Sequence, residues 1–491
     1  WSHVPSWAGP LFQAPAAEVG GRRDTGLLDV AVKLADHLDD IFGPTKRQDV
    51  DGHPVVEMGL VELYRVTGET RYLQLARHFV DARGQGFVKG LGKEPTYFSD
   101  RVRVREATTV EGHAVRAVYL GAGGVDVATE TGDAGLLLAL ETQFASMMSS
   151  KAFITGGLGA RWDWEAFGDP YELPTDRGYA ESCAAIGGVQ WAWRLLLATG
   201  KQEYADAIER FLFNAFLPGV SLSGTEYFYV NPLQLRDRAL ADENRSPAHG
   251  RRGWFDCACC PPNVMRTFSS LDAYIATSSE RGLQIHQFAS GDFGFGGGAV
   301  TVRTDYPWSG DVEIEIVRST GSWHLDIRVP DWSDDTTLTV NGEPVAAVAG
   351  TYASITREFV AGDVILLQLD LTTRLYAADT RIDAVRGAVA IERGPLVYAL
   401  EHCDVPGVAV DDVVLNVTAA IRETRRAELL DGIVTLQLEG TVSDHSESPW
   451  PYRRLRDSAL SDKAPVALVA IPYYAWANRE VGPMRVWFPT A

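Results

Sequence analysis

Apolar residues in the first half of the chain recur at the three- and four-residue spacing of amphipathic helices. One such series near the N-terminus runs through Leu27, Leu28, Ala31, Leu34, Ala35, Leu38 and Ile41. This spacing collects the apolar side chains on one face of a helix, where they can be buried against a neighbour. The pattern therefore predicts a helical N-terminal half.

A Thr-Gly pair stands just before four of these amphipathic segments: Thr25-Gly26, Thr67-Gly68, Thr131-Gly132 and Thr199-Gly200. Glycine accepts the left-handed backbone in which helices end, and threonine is a good capping residue. Each pair thus predicts a turn that ends one helix and begins the next. Repeated helical hairpins indicate an (α/α) barrel, and an irregular helical domain is the alternative.

The period of the pattern changes near residue 280, where apolar and polar residues begin to alternate. The runs AVTVRT, DVEIEIV and VILLQLDL have the two-residue period of β-strands, and Asn341-Gly342 is a typical hairpin turn. A second group, including AVAIERGPLVYAL and VALVAIPYYAW, lies towards the C-terminus. We predict a mixed multidomain protein with a helical domain over residues 1–279, a β-sandwich over 280–375 and a second β domain over 376–491.

Composition narrows the range of partners. The 491 residues carry a net charge of -20, with 46% hydrophobic and 22% charged residues. An acidic protein of this kind is a poor match for nucleic acid or an anionic membrane, and no apolar run reaches membrane-spanning length. Thirteen Trp and 17 Tyr residues suit contacts with the flat faces of sugars, although aromatic cores account for them equally well.

The five cysteines are too few and too clustered for a disulfide framework. That pattern favours a reducing compartment, and we expect a cytoplasmic protein. Because the chain begins at Trp1 rather than at Met, we also expect a processed or truncated start.

Three of the cysteines fall within four residues, in the run Cys257-Ala258-Cys259-Cys260, which Pro261-Pro262-Asn263 follows directly. Adjacent thiols oxidise readily, and a metal ion or a reactive thiolate is the usual reason to keep them. A buried group of small apolar side chains is the alternative.

Zinc would ionise such thiols, and a tetrahedral site needs further ligands. Glu181 and Cys183 supply two, so Glu181, Cys183, Cys259 and Cys260 make a candidate zinc site of three thiolates and one carboxylate. Residues two apart cannot share a helix face, so we expect the first pair on a loop or in a helix's first turn. Cys257 also stays a candidate ligand, because it forms a CxxC with Cys260.

Several motifs, taken together and in order, resemble glycoside hydrolase family 127, the β-L-arabinofuranosidases. They are DGHPVVEMGLVELYRVTGE, EGHAVRAVYL, GYAESCAAIGG, TEYFYVNPL and CCPPN, and the similarity extends from about Ala8 into the β region. The resemblance implies an (α/α)6 barrel with β-sandwich domains. It further implies a zinc-bound cysteine nucleophile and a retaining mechanism that releases L-arabinofuranose.

Matching the motifs residue by residue, the resemblance implies that Cys259 is the nucleophile and Glu165 the general acid/base. It implies that Glu181, Cys183 and Cys260 are the other zinc ligands. His53 and His113 would bind the sugar, and Tyr229 would line the pocket. From the residues alone, Glu172 rivals Glu165, the histidines could be structural, and Tyr229 could simply pack.

The chain departs from the family pattern at its start, where Pro10 stands in place of a substrate-binding histidine. Pro10 and Pro15 are both unfavourable inside a helix, so we expect a damaged helix there. Fewer than twelve amphipathic segments precede residue 280, and helices that the family carries upstream are absent. An incomplete barrel is therefore expected, which leaves three readings: a fragment, a homo-oligomer that covers the gap, or a catalytically impaired enzyme.

The sequence thus supports a glycoside hydrolase that acts on β-L-arabinofuranosides or related furanosides. Two alternatives stay open. One is a sugar-binding or scaffold protein that keeps a structural zinc. The other is a different helical-barrel carbohydrate enzyme, an epimerase or a lyase, which would have no need of paired cysteines.

Overall fold

The computed structural model describes residues 4–21, 26–88, 93–241, 243–257, 259–443, 450, 452 and 464–490. The chain divides into two compact units. The first unit comprises Trp1–Leu173 and Tyr179–Ile208, and the second comprises Pro174–Gly178 and Glu209–Ala491.

Helices form the N-terminal part of the chain, as the apolar spacing predicts. Within the described ranges the α-helices are α1 (Val4–Gly21), α2 (Gly26–Ile41), α3 (Val56–Thr67), α4 (Thr70–Ala82), α5 (Ala114–Thr131), α6 (Ala134–Ser150), α7 (Ser182–Thr199), α8 (Gln202–Phe211) and α9 (Cys260–Phe268). No helix in the described part of the chain is long and apolar enough to cross a bilayer.

The Thr-Gly turns are confirmed at three places, Thr67-Gly68, Thr131-Gly132 and Thr199-Gly200. Each glycine follows the last helical residue in left-handed backbone, with φ between 65° and 75°. Each threonine hydroxyl donates a hydrogen bond of 2.7 Å to the carbonyl four residues earlier. The next helix then begins three residues after the threonine, which makes three helical hairpins. Thr25 of the fourth pair lies outside the described residues.

Helix α1 contradicts the expectation of a damaged helix, because it runs without a break through both Pro10 and Pro15. Each proline removes a backbone donor and costs an interior helix about 3 kcal/mol. Tight packing of α1 against α3 offsets this cost: a Cβ added to Gly59 would stand 2.6 Å from the carbonyl oxygen of Gly9. Phe12 is fully buried on the same helix.

Strands dominate the chain from residue 276 onwards, close to the predicted change. In the described ranges the strands are β1 (Gln234–Leu235), β2 (Ala276–Ser279), β3 (Gly282–Ile285), β4 (Gly291–Phe295), β5 (Gly298–Thr304), β6 (Asp311–Ser319), β7 (Ser322–Val329), β8 (Thr337–Val340), β9 (Glu343–Val345), β10 (Thr351–Glu358), β11 (Val364–Gln368), β12 (Thr373–Ala377), β13 (Ala388–Arg393), β14 (Leu396–Glu401), β15 (Val413–Leu415), β16 (Arg422–Arg426), β17 (Ile433–Val442), β18 (Ala464–Pro472), β19 (Met484–Arg485) and β20 (Phe488–Pro489).

These strands form three sheets in the second unit. A four-stranded sheet has the order β10-β7-β3-β2, and a six-stranded sheet has the order β4-β5-β6-β11-β8-β9. Alternate residues of both sheets, among them Leu325, Ile327, Ile314 and Ile316, share one buried apolar core, which makes a β-sandwich. A ten-stranded sheet contains β1 and β12 to β20.

The predicted hairpin turn at Asn341-Gly342 joins β8 to β9, with φ of 51° and 85° at the two residues. Positive φ at both central positions is the geometry that Asn-Gly favours. The fold class, helices followed by β-sheet domains, is therefore confirmed. The domain limits at residues 279 and 375 stay predictions.

A buried ion pair anchors the end of α8 within the second unit. The carboxylate of Glu209 accepts hydrogen bonds from Arg328 and from the hydroxyl of Tyr306. The indole nitrogen of Trp332 also donates to it at 3.0 Å. The side chains of Arg328 and Glu209 are 0% and 2% exposed. Three donors on one carboxylate make this group important for the stability of the second unit.

Glu209→Ala is expected to lower the free energy of unfolding of the second unit by about 3–5 kcal/mol, because it leaves a buried guanidinium without its carboxylate. Urea unfolding followed by circular dichroism measures this loss. Glu313→Ala is the matched control, since it breaks an exposed pair with Arg303 and should cost less than about 1 kcal/mol. Equal, small effects in both variants would contradict the role assigned to Glu209.

Candidate active site

Glu181 and Cys183 stand at the start of α7 in the first unit. Glu181 is the N-cap residue of the helix, with extended backbone, and Cys183 lies in the first turn. Both residues are 2% exposed. Of the two predicted positions, a loop or a helix's first turn, the structure shows the start of a helix.

Glu165 lies on a tight loop of the first unit that is fixed by backbone hydrogen bonds. Arg161 and Ala166 exchange N–H to carbonyl bonds of 2.9 and 3.1 Å across this loop. The N–H of Phe167 then donates to the carbonyl of Gly112 at 2.8 Å, which attaches the loop to the residue before His113. Consequently Oε2 of Glu165 lies 2.9 Å from Nε2 of His113.

Four of the site residues predicted from the sequence are brought together in the first unit. Ligand atoms of His113, Glu165 and Glu181 all lie within 4.8 Å of one another. The imidazole ring of His53 is centred 6.0 Å from that of His113. His113 is the N-cap residue of α5 and is 5% exposed, whereas the Glu165 side chain keeps 24% exposure. A carboxyl group in partial contact with solvent can exchange protons with a ligand.

Glu172, the rival of Glu165, is engaged elsewhere. Its carboxylate accepts hydrogen bonds of 2.8 and 2.5 Å from the guanidinium of Arg161 and one of 2.9 Å from the N–H of Asp169. The hydrogen bond from Arg161 is the main cause that lowers the pKa of Glu172. A carboxyl group held ionised in this way is unsuited to donate a proton near neutral pH.

Three residues that the sequence reasoning missed also belong to this cluster. Arg116 is 7% exposed, and its guanidinium donates to the hydroxyl of Tyr97 at 3.2 Å and packs over the Tyr97 ring. The Tyr97 ring in turn contacts His113, with centroids 5.5 Å apart. Asp51 accepts a hydrogen bond from the N–H of His53 at 3.1 Å, and burial raises the pKa of Asp51 to about 7. Asp51 and Arg116 flank the two histidine motifs, a signal that the sequence does contain.

The second unit holds the other predicted residues. Cys259 is the N-cap residue of α9 and Cys260 is its first helical residue, followed by the two prolines that favour a helix start. The Sγ atoms of Cys259 and Cys260 are 3.8 Å apart. The hydroxyl of Tyr229 lies 3.0 Å from Sγ of Cys259.

Cys257, the remaining thiol of the run, differs from its neighbours. It is exposed, whereas Cys260 is fully buried. A hydrogen bond with Cys259, together with desolvation, raises the pKa of Cys257. Cys257 is outside the groups of side chains in the described chain that could hold a metal ion.

Glu181 and Cys183 in the first unit, and Cys259 and Cys260 in the second, are side chains that could bind a metal ion. Thiolates prefer soft or borderline ions, whereas calcium and magnesium require oxygen ligands. The chemistry of these donors therefore fits a thiophilic transition-metal ion.

Comparison with known proteins places these features in a family. The chain matches the models of the β-L-arabinofuranosidase GH127 catalytic domain over residues 9–273, the GH127 middle domain over 282–371 and the glycoside hydrolase family 127 C-terminal domain over 373–489. It is 36% identical to a non-reducing end β-L-arabinofuranosidase of Bifidobacterium longum subsp. longum, in an alignment that covers 94% of this chain and 74% of that enzyme.

Solved structures agree with this match. A GH127 β-L-arabinofuranosidase from Geobacillus stearothermophilus T6 superposes with a TM-score of 0.91 at 32% identity, over 100% of this chain and 80% of the other. Another GH127 β-arabinofuranosidase gives a TM-score of 0.90 at 33% identity, over 100% of this chain and 77% of the other. The chain is thus a glycoside hydrolase. It belongs to glycoside hydrolase family 127, the β-L-arabinofuranosidase family.

Proposed function

We propose that this protein hydrolyses β-L-arabinofuranosides and releases L-arabinofuranose with retained configuration. The observation that carries the proposal is the short contact between Glu165 and His113, in one cluster with the predicted metal ligand Glu181. The relative from Bifidobacterium, named for this activity, supports the choice of substrate.

In the first half-reaction, the thiolate of Cys259 attacks the anomeric carbon of the sugar. The bond between that carbon and the glycosidic oxygen breaks as Glu165 donates its proton to the departing oxygen. A glycosyl group is then attached to Sγ of Cys259, and Glu165 is left as a carboxylate.

In the second half-reaction, the Glu165 carboxylate takes a proton from a water molecule, whose oxygen attacks the same carbon. The carbon–sulfur bond breaks and restores the thiolate. Two displacements at one carbon return the original configuration, which is why the enzyme should be retaining.

The neighbouring side chains orient these two groups. His113 holds the Glu165 carboxyl through its Nε2 atom, and we assign it and His53 to the sugar hydroxyls. Tyr229, 3.0 Å from Sγ of Cys259, would keep the nucleophile directed at the sugar.

We further propose that Glu181, Cys183, Cys259 and Cys260 bind zinc, which is the common ion for such thiolate-rich sites. A bound zinc ion would keep the thiols ionised at neutral pH and would make the Cys259 sulfur a better leaving group. The exposed Cys257 is not assigned to this set.

The test combines metal content with activity on 4-nitrophenyl β-L-arabinofuranoside. We expect about one zinc per chain, loss of activity on chelation, and recovery when zinc is restored. Nuclear magnetic resonance of the first-formed sugar should show the β anomer. Full activity in metal-free protein would contradict the zinc assignment, and sugar binding without turnover in calorimetry would favour a catalytically impaired relative.

The substrate partner is a carbohydrate, and the thiol-rich set favours a reducing location, for which we propose the cytoplasm. A homo-oligomer stays a prediction, which size-exclusion chromatography can test.

A further inference from the structure

Trp164 is an exposed tryptophan directly before the proposed acid/base Glu165. It is 42% exposed, in contrast to fully buried tryptophans such as Trp191. Its backbone has φ of 65°, and that of Glu165 has φ of 54°. Left-handed backbone is unfavourable for a bulky side chain, and such strain concentrates at functional sites. This backbone leaves the flat indole of Trp164 partly exposed to solvent, one residue before the proposed acid/base Glu165.

The indole of Trp164 belongs to the same group of side chains as Glu165. It meets the Tyr97 ring edge to face, with centroids 5.6 Å apart and an angle of 90°. Tyr97 contacts His113, which holds the Glu165 carboxyl. The exposed Lys93 carries its ammonium 4.3 Å from the centre of the indole and 5.1 Å from that of Tyr97. An aromatic surface and a cation are therefore linked to the proton donor through Tyr97 and His113.

The role of Glu165 as proton donor determines which part of the substrate Trp164 and Lys93 would contact. Glu165 donates its proton to the oxygen that joins the departing group to the arabinofuranosyl residue. The Glu165 carboxyl group thus lies where the sugar meets the departing group, with His113 on the side of the sugar and the partly solvent-exposed Trp164 on the side of the departing group. An indole covers the C–H face of a sugar ring well, and an ammonium group donates hydrogen bonds to sugar hydroxyls.

We propose that Trp164 and Lys93 form an aglycone subsite, which binds a second sugar ring of the substrate. The inference rests on the proposed function and adds the class of departing group that this protein prefers. It predicts a preference for saccharide aglycones over small alkyl aglycones, because only a ring can cover the indole.

The test compares Trp164→Ala with wild type on two substrates. One is a disaccharide in which L-arabinofuranose is β-linked to another sugar, and the other is methyl β-L-arabinofuranoside. We expect kcat/KM to fall about tenfold more on the disaccharide than on the methyl glycoside, since a ring-stacking contact has roughly this strength. Lys93→Met should shift the same ratio in the same direction. Trp450→Ala, which removes another exposed indole, should leave both values unchanged.

Three outcomes separate the hypotheses. If the wild type is active and Trp164→Ala lowers kcat/KM by the same factor on both substrates, the subsite is overturned. Trp164 then supports the Glu165 loop instead. No loss on either substrate overturns it as well. A wild type that cleaves neither compound overturns the proposed activity itself, and the subsite with it.

Discussion

Cys259→Ser is expected to lower kcat by about 10⁴-fold or more while the protein stays folded and keeps most of its zinc. A serine hydroxyl is hardly ionised near neutral pH, so it cannot replace a thiolate in the attack on the anomeric carbon. Zinc should persist, because Glu181, Cys183 and Cys260 remain. The measurements are turnover of 4-nitrophenyl β-L-arabinofuranoside and metal analysis of the same sample.

Cys257→Ser is the matched control, since it makes the same chemical change two residues earlier at an exposed thiol. It should retain turnover and zinc. A Cys259→Ser protein with more than about a tenth of wild-type activity would exclude Cys259 as the nucleophile. Loss of zinc in Cys257→Ser would instead give that residue a place among the ligands.

Glu165→Gln is expected to lower kcat/KM by a factor that depends on the leaving group. On a disaccharide, kcat/KM should fall by about 10²–10⁴-fold, because the departing alkoxide needs a proton. On a 2,4-dinitrophenyl glycoside the first step needs no acid, so kcat/KM should change far less. There the second step becomes slow, since no carboxylate activates water, and a burst of dinitrophenol should precede slow turnover.

Azide provides an independent check, because it needs no general base. Adding azide to Glu165→Gln should restore turnover of the dinitrophenyl glycoside and give a β-glycosyl azide. Glu172→Gln is the control within the same segment, because the Glu172 carboxylate binds Arg161. Any decrease in kcat/KM of this variant should not depend on the leaving group. If Glu172→Gln responded to azide and Glu165→Gln did not, the two assignments would have to be exchanged.

Much of the secondary structure follows from short stretches of sequence. The helical spacing, the Thr-Gly turns and the Asn341-Gly342 hairpin are local signals, because each depends on a few neighbouring residues and their backbone preferences. The prediction of a damaged helix at Pro10 and Pro15 is wrong because it, too, rested on local preferences alone. Their local cost is real, but the close packing of α1 on α3, at Gly9 and Gly59, is invisible in the α1 sequence.

In the candidate site, too, some features follow from the sequence and others only from the folded structure. The resemblance supplied Cys259, Glu165 and the other predicted site residues. The spacing of Glu181 and Cys183 predicted a loop or a helix's first turn, and the structure shows a helix start. Glu172 was a rival of Glu165 from the residues alone, and only the resemblance favoured Glu165. In the structure Glu172 is paired with Arg161, and Glu165 lies beside His113.

The sequence by itself determined the order of helical and β parts, the turns that join them and the family to which the chain belongs. Only the tertiary structure decided which distant side chains meet. Glu209 and Arg328 are 119 residues apart in the chain, yet they share a buried ion pair. Tyr97 reaches His113, Arg116 and Trp164 in the same way. Such contacts depend on loop closure and packing over long stretches of chain, which no local pattern encodes.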